Sequence, residues 1–157
     1  MSTGSRAAWN DRFRKPSAEI LTSEVARGVA PAVSLYREQL LATAGVTEEI
    51  SWQGVPWRWS LLYRHEAVQG RAWAYLVAQP GQPLAIVPLT SEGIAALPMR
   101  RLLKPVRDAI THAKQVEGVW WAQWTIQSKS QVESLVKIAR IQLEQSSVAS
   151  GMAAGAA

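Results

Sequence analysis

Residues 50–65 read ISWQGVPWRWSLLYRH and hold three of the chain's eight tryptophans within eight positions. From residue 57 onward, large apolar side chains alternate with polar or smaller ones, and the apolar set is Trp57, Trp59, Leu61 and Tyr63. A hydrophobic period of two is typical of a β-strand with one buried face. The stretch therefore predicts a strand over 57–64 whose aromatic rings face a core, with arginines on the opposite face.

Three further segments show strand patterns. RAWAYLVA at 71–78 alternates large with small side chains, and LAIVPL at 84–89 follows the turn sequence QPGQP. Pro88 has no amide hydrogen to donate, so we expect it at an edge of the sheet or where strand pairing ends. VWWAQWTI at 119–126 is rich in aromatic and β-branched residues. Because neighbours in a strand point to opposite faces, either Trp120 or Trp121 must leave the helix-covered face.

Helical signals precede and follow these strands. Ser17 is placed to cap a first helix. Pro105 fits the first turn of a basic helix that we expect to run through Gln115. Ser130 and Glu133 have capping-box spacing, which predicts the start of the last helix. The order of elements predicts an α+β fold with a single antiparallel sheet of four to five strands and helices packed on one face.

The length of 157 residues indicates one folded domain. We expect a disordered basic tail at 1–15, the α+β domain at 16–145 and a disordered tail of small residues at 146–157. The chain has no cysteine, which excludes disulfides, thiolate catalysis and zinc sites built on sulfur, and this suits a cytoplasmic location. No secretory signal is apparent, and QPGQP interrupts the longest uncharged stretch, which argues against a membrane span.

The sequence offers little to a catalyst or a metal ion. The chain has two histidines, His65 and His112, and neither belongs to a motif with metal-ligand spacing. No serine lies in a nucleophile elbow, and no glycine-rich phosphate loop occurs. An enzyme would have to work through Tyr63, His65, Glu66 or His112, whose spacing favours no reaction. We therefore expect no catalytic residues, no metal and no cofactor, and we favour a non-enzymatic protein.

Several segments together resemble the domain-of-unknown-function 3788 family of small bacterial proteins. In chain order they are ISWQGVPWRWSLLYR, RAWAYLVA, RRLLKPVRDAITHAKQ, GVWWAQWTIQS and SQVESLVKIARIQL. The resemblance spans roughly residues 16–145, and its motifs are packing patterns. It implies a compact α+β domain, similar in general build to small bacterial domains that are compared with frataxin-like iron chaperones. It supplies no catalytic residues to carry over, and this chain is basic where relatives tend to be acidic and charge-rich.

Two binding hypotheses remain, and each has a plainer alternative. The first is a surface of aromatic rings with an arginine rim that binds an unidentified small molecule or protein, and the alternative is that the rings fill the core. Its candidate residues are Trp57, Arg58, Trp59, Tyr63, Trp73, Tyr75 and Trp121. We expect such a protein to be a monomer or a weak dimer.

The second hypothesis is a nucleic-acid-associated protein. The net charge is +5, and residues 100–114 hold five cations against one carboxylate. Such a cluster, together with the basic amino-terminal tail, suits phosphate groups, although it is also typical of a solvated helix face. The candidate residues are Arg100, Arg101, Lys104, Arg107 and Lys114.

Overall fold

The computed structural model describes the backbone of residues 7–155 and the side chains of residues 7–148. Its helices are α1 (Ala18–Ser23), α2 (Ala30–Leu41), α3 (Ser91–Ala95), α4 (Lys104–Thr111) and α5 (Lys129–Gly155). Its strands are β1 (Thr47–Trp52), β2 (Trp59–Arg64), β3 (Ala74–Val77), β4 (Leu84–Leu89), β5 (Lys114–Val116) and β6 (Val119–Thr125). Single 3-10 turns occupy Ala8–Asn10 and Met99–Arg101.

The strands form one antiparallel sheet in the order β1-β2-β3-β4-β6-β5. The predicted α+β class with a single antiparallel sheet is confirmed, but the sheet has six strands where four to five were expected. The sixth arises because α4 ends at Thr111, short of the predicted Gln115, and β5 pairs with β6. Glu117 and Gly118 connect them with positive φ angles of 51° and 79°, as a tight two-residue hairpin requires.

Strand β2 begins at Trp59, two residues later than the alternation predicts. Arg58 has φ of +56°, which breaks the extended conformation. Its carbonyl accepts from Gln53 N at 2.8 Å, and its own N–H donates to Gly54 O at 2.6 Å. Residues 53–58 therefore form a closed loop, the Gln53–Arg58 loop. The predicted strand face holds for Trp59, Leu61 and Tyr63 and is wrong for Trp57 and Arg58.

Helices α2, α4 and α5 pack on the face of the sheet that carries Leu61 and Tyr63, which is called the first face below. The strand register adds Ala85, Ala122 and Trp124 to this face. Trp124 Nε1 donates to the backbone of α4 at 3.0 Å, and the indole of Trp73 donates to the backbone of α5 at 2.6 Å. The first face and its helices therefore form the main core.

The opposite side of the sheet, the second face, carries Leu62, Tyr75, Ile86 and Trp121. Its central side chains are also buried, with Leu62 only 3% and Ile86 0% exposed. Pro88 lies in an interior strand, but the ladder between β3 and β4 ends at Ile86. Pro88 therefore sits where pairing ends on one side, as its missing amide hydrogen requires.

One of the two predicted helix caps is present, and the last helix differs from the prediction at both ends. Ser17 caps α1 as expected and accepts from Ile20 N at 3.1 Å. At α5 the capping hydroxyl belongs to Ser128, which accepts from Gln131 N at 3.2 Å, so the predicted Ser130–Glu133 box is misplaced. Helix α5 continues past residue 145, the expected end of the domain. Residues 1–6 and 156–157 of the two predicted tails lie outside the described residues.

Across the described residues, no helix combines the length and the apolar character that a bilayer span needs.

Candidate functional site

Three aromatic rings meet on the second face. The ring centroids of Trp57 and Tyr75 lie 5.6 Å apart, those of Tyr75 and Trp121 lie 5.6 Å apart, and those of Trp57 and Trp121 lie 6.2 Å apart. The planes are tilted by 53° to 55°, and the distances are those of rings in direct contact. We call Trp57, Tyr75 and Trp121 the aromatic cluster. It joins β3, β6 and the Gln53–Arg58 loop.

Contacts with the amino-terminal segment position the Gln53–Arg58 loop so that Trp57 reaches the aromatic cluster. Trp9 Nε1 donates to the carbonyl oxygen of Trp57 at 2.9 Å. In return, Trp59 Nε1 donates to Asp11 O at 2.7 Å. The guanidinium carbon of Arg58 lies 4.9 Å from the Trp9 ring centroid, a cation–π contact. Two reciprocal hydrogen bonds and this contact fix the backbone from which the Trp57 ring projects.

A cavity of about 410 Å³ opens beside the aromatic cluster. Its walls are Gln53, Trp57, Tyr75, Lys114, Val116, Trp121 and Gln123. Lys114 is the direct cross-strand partner of Trp121, which places the two side chains on the same face of the sheet. This volume lies within the range of about 300–1,000 Å³ found for small-molecule sites. The cavity therefore offers aromatic surface, amide groups and one ammonium group.

The eight tryptophans divide by what their indole N–H groups do. Four indoles donate to backbone carbonyls, and all four are buried: Trp9, Trp59, Trp73 and Trp124. The other four are half-buried and donate to no group within the described residues: Trp52, Trp57, Trp120 and Trp121. An indole buried for packing alone normally finds an acceptor. None of the four unpaired Nε1 atoms is buried, so these N–H groups, including both in the aromatic cluster, reach solvent and have no acceptor within the described residues.

Three of the predicted ligand-binding residues lie in the core of the first face instead. Trp59 is 7%, Tyr63 0% and Trp73 1% exposed. Tyr63 Oη donates to Glu48 Oε2 at 2.9 Å, and Arg37 holds both oxygens of the same carboxylate at 2.8 and 2.9 Å. Burial, and then the adjacent Glu48 carboxylate, raise the pKa of the Tyr63 phenol well above its ordinary value. These residues serve packing and one internal polar network.

The predicted arginine rim is not part of the cavity. Arg58 lies against Trp9 and does not contribute to the cavity wall. The cation beside the aromatic cluster is Lys114, which the sequence placed in the basic patch. Because β5 reverses the chain after α4, Lys114 occupies the second face, whereas α4 packs on the first.

The remaining basic residues are only partly available to phosphates. Lys104 Nζ pairs with Asp108 Oδ2 at 2.8 Å, and this bond lowers the pKa of the Asp108 carboxyl. Arg107 is half-buried and donates to Leu102 O at 3.4 Å. Arg100 and Arg101 are exposed on the 3-10 turn before α4. The structure thus separates the five predicted nucleic-acid-binding residues into two surfaces.

Neither histidine joins a cluster of possible metal ligands. His65 Nδ1 accepts from Ala67 N at 3.0 Å, and its ring packs so closely on Gly45 that an added Cβ would lie 2.8 Å from Nε2. His112 Nδ1 lies 2.9 Å from Asp108 O. Over the part of the chain that the structure describes, no three histidine, cysteine or acidic side chains gather closely enough to hold a metal ion.

Sequence reasoning missed four residues that shape the site: Trp9, Gln53, Val116 and Gln123. Gln123 was within reach, because it lies two positions from Trp121 and therefore on the same strand face. Val116 and Lys114 were hidden by the expected extension of α4. Trp9 lies in a segment whose composition indicates a disordered tail, and only its long-range contact with Trp57 reveals its role.

No protein-family model, curated protein or solved structure matches this chain.

Proposed function

We propose that the protein is a non-enzymatic ligand-binding or accessory protein that uses the aromatic cluster on the second face as its ligand surface. One observation carries the proposal. Trp57 and Trp121 pack with Tyr75 in the wall of a cavity of about 410 Å³ and keep their indole donors unused, whereas Trp52 and Trp120, which also lack an acceptor within the described residues, do not line that cavity. A cytoplasmic location, and membership of the domain-of-unknown-function 3788 family, are parts of the same proposal that rest on the sequence.

The arrangement supports binding more than chemistry. Among the described residues of the cavity wall there is no carboxylate, histidine or serine. The two described side chains that could transfer a proton, Tyr75 and Lys114, are not hydrogen-bonded to each other, and Tyr75 Oη accepts from Ala72 N at 3.3 Å. Flat apolar area with a few polar groups at its margin is the usual composition of a small-molecule site. A ligand that stacks on the rings would cover apolar surface and receive hydrogen bonds from groups that lack partners within the described residues.

The test is a fragment screen read by ¹⁹F NMR on the full chain labelled with 5-fluorotryptophan. Resonances are assigned by single Trp→Phe variants. We expect flat aromatic fragments at about 1 mM, the affinity range of weak ligands, to move the Trp57 and Trp121 resonances and leave Trp73 and Trp124 in place. If no fragment moves the two cluster resonances, the proposal is wrong.

Neighbouring tryptophans supply a matched pair of variants. Trp120 and Trp121 are adjacent in β6 but belong to opposite faces, with Trp120 opposite Leu89 and Trp121 opposite Pro88 in the register of β4 and β6. Trp121→Ala is expected to weaken fragment binding about tenfold or more, since it removes one stacking surface. Trp120→Ala removes an equally large ring from the other face and is expected to leave the affinity within about twofold. Equal losses in the two variants would argue against a site on the second face.

A nucleic-acid partner is the second candidate, and the exposed pair Arg100 and Arg101 favours it. Neither residue forms an ion pair within the described residues. Binding of single- or double-stranded oligonucleotides should then fall steeply with salt, with a slope close to the number of phosphates neutralised. The double variant Arg100→Gln and Arg101→Gln should weaken binding and lower that slope by about two. Absence of oligonucleotide binding at low salt removes this candidate.

A further inference from the structure

The contacts among the three rings restrict the ligand that the aromatic cluster can accept. An aromatic cage for a quaternary ammonium group needs rings that stand apart around the cation, each within about 6 Å of it. Here the centroids are 5.6 to 6.2 Å from one another, so the rings touch and leave no space between them for a cation. The cluster is therefore one continuous wall, against which a ring system can stack from the cavity side.

The charges around the wall favour a negative ligand. Lys114 is the single charged residue among the described side chains that line the cavity. It forms no ion pair with any carboxylate of the described residues. The acidic residue nearest in sequence, Glu117, lies in the β5–β6 turn and does not line the cavity. An anion beside Trp121 would therefore meet an ammonium group that has no competing carboxylate.

The polar groups of the wall are also mostly donors. Two indole N–H groups lack an acceptor within the described residues. The amide of Gln123 can donate as well, and the amide of Gln53, whose Nε2 donates to Ser51 Oγ at 3.0 Å, keeps one further N–H. Hydrogen bonds to an ionised acceptor are stronger than those between neutral groups. We propose that the site takes a planar aromatic ligand that bears a carboxylate or another anionic group, with its ring on the aromatic cluster and its charge at Lys114. This inference rests on the proposed function and names the class of ligand.

The test compares three probes that share a ring system and differ in charge. They are 2-naphthoate, 2-naphthamide and 2-(aminomethyl)naphthalene, titrated into the full chain and followed through the ¹⁹F resonances of Trp57 and Trp121. We expect 2-naphthoate to bind about fivefold more tightly than the neutral amide, the upper end for an ion pair with an exposed lysine. The cationic amine should bind most weakly. Raising the salt concentration should narrow the difference, because screening acts on exposed charges.

Lys114 has a matched control in Lys104, which is paired with Asp108 and does not line the cavity. Lys114→Gln should bring the affinity for 2-naphthoate down to that for 2-naphthamide and leave the amide unchanged. Lys104→Gln should keep the preference for 2-naphthoate over 2-naphthamide. Equal binding of the three probes to the unaltered protein, or a preference that survives Lys114→Gln, would overturn the inference while leaving a ligand site in place. Absence of binding by all three, with no fragment active in the screen either, would remove the proposed function itself.

Discussion

Two pairs of tryptophans, one on each face of the sheet, differ in what their indole N–H groups do. On the first face, Trp73 and Trp124 are buried and each donates its N–H to the backbone of a covering helix. On the second face, Trp57 and Trp121 remain half-buried, and neither donates to a group within the described residues. The first arrangement satisfies both the apolar ring and its polar edge, as a structural indole requires. The arrangement of Trp57 and Trp121 leaves ring surface and an N–H donor accessible, as the proposed ligand site requires.

This difference shows that tryptophan content by itself does not separate core from site. The hydrogen-bonding state of an indole is not sufficient either, because Trp52 and Trp120 also lack an acceptor within the described residues and do not line the cavity. Trp57 and Trp121 combine a free donor with a place in the cavity wall. Helices α4 and α5 supply carbonyl oxygens to the first face. The second face receives the Gln53–Arg58 loop, whose contribution to the aromatic cluster is another ring.

The largest expected effect compares truncations on the two faces. Trp73→Ala should lower the free energy of unfolding by about 3–5 kcal/mol, because it leaves a cavity in a packed core and frees the Ala139 carbonyl. Trp121→Ala should cost only about 1–2 kcal/mol, since it removes ring contacts on a half-buried surface. Urea denaturation measures both values. Similar losses for the two variants would break the distinction between the faces.

The next effect concerns pH and the two tyrosines of the first-face core. Burial raises the pKa of Tyr36, and burial together with Glu48 raises the pKa of Tyr63. In the unfolded chain both phenols ionise near pH 10, whereas the folded protein keeps them protonated. The stabilising contribution is therefore complete below pH 10 and is lost as the pH rises above it, by about 1.4 kcal/mol per pH unit for each tyrosine. Urea denaturation between pH 9.5 and 11 should show the slope.

The double variant Tyr36→Phe and Tyr63→Phe is the control for this titration. It removes both phenol hydroxyls while keeping the rings in the core. Above pH 10, the slope of its unfolding free energy against pH should therefore lack the contribution of the two tyrosines. An unchanged slope would mean that neither tyrosine is shielded from solvent as the first face requires.

A smaller effect tests how the second face is organised. Trp9→Phe keeps an aromatic ring near Arg58 but removes the N–H that donates to Trp57 O. We expect a stability loss of about 1 kcal/mol, the usual value of one hydrogen bond, and a changed ¹⁹F resonance for Trp57. Trp120→Phe is the matched control, because the Trp120 indole has no acceptor within the described residues and its loss should leave Trp57 unaffected. An unaltered Trp57 resonance in Trp9→Phe would show that the amino-terminal segment does not position the loop.

Periodicity predicted most of the fold and only part of the site. The alternation of side chains predicted strands β2, β3 and β6 because one or both faces of these strands are buried. The prediction that Trp120 and Trp121 point to opposite faces agrees with the register of β4 and β6. Trp57 fits the same alternation as Trp59, so nothing local distinguishes it. The positive φ of Arg58 and the contact with Trp9 place its ring on the other face, and both depend on tertiary structure.

Strand β5 was missed for a different reason. Its three residues follow a helix with good amphipathic spacing, and a segment so short carries no period of its own. The turn at Glu117 and Gly118 was the available signal, since glycine after a short polar segment is typical of a tight hairpin. A hairpin at Glu117 and Gly118 predicts that Lys114 belongs to a strand and not to the basic helix, which agrees with its place on the second face.

Hydrogen exchange of the indole N–H groups, followed by ¹H–¹⁵N NMR on the full chain, tests the central claim most directly. The eight tryptophans give eight indole signals. The N–H groups of Trp73 and Trp124 should exchange with solvent at least about tenfold more slowly than those of Trp57 and Trp121, because only the first pair must open a buried hydrogen bond. Equal protection of all four signals would contradict the account, since the second face would then be as closed as the first.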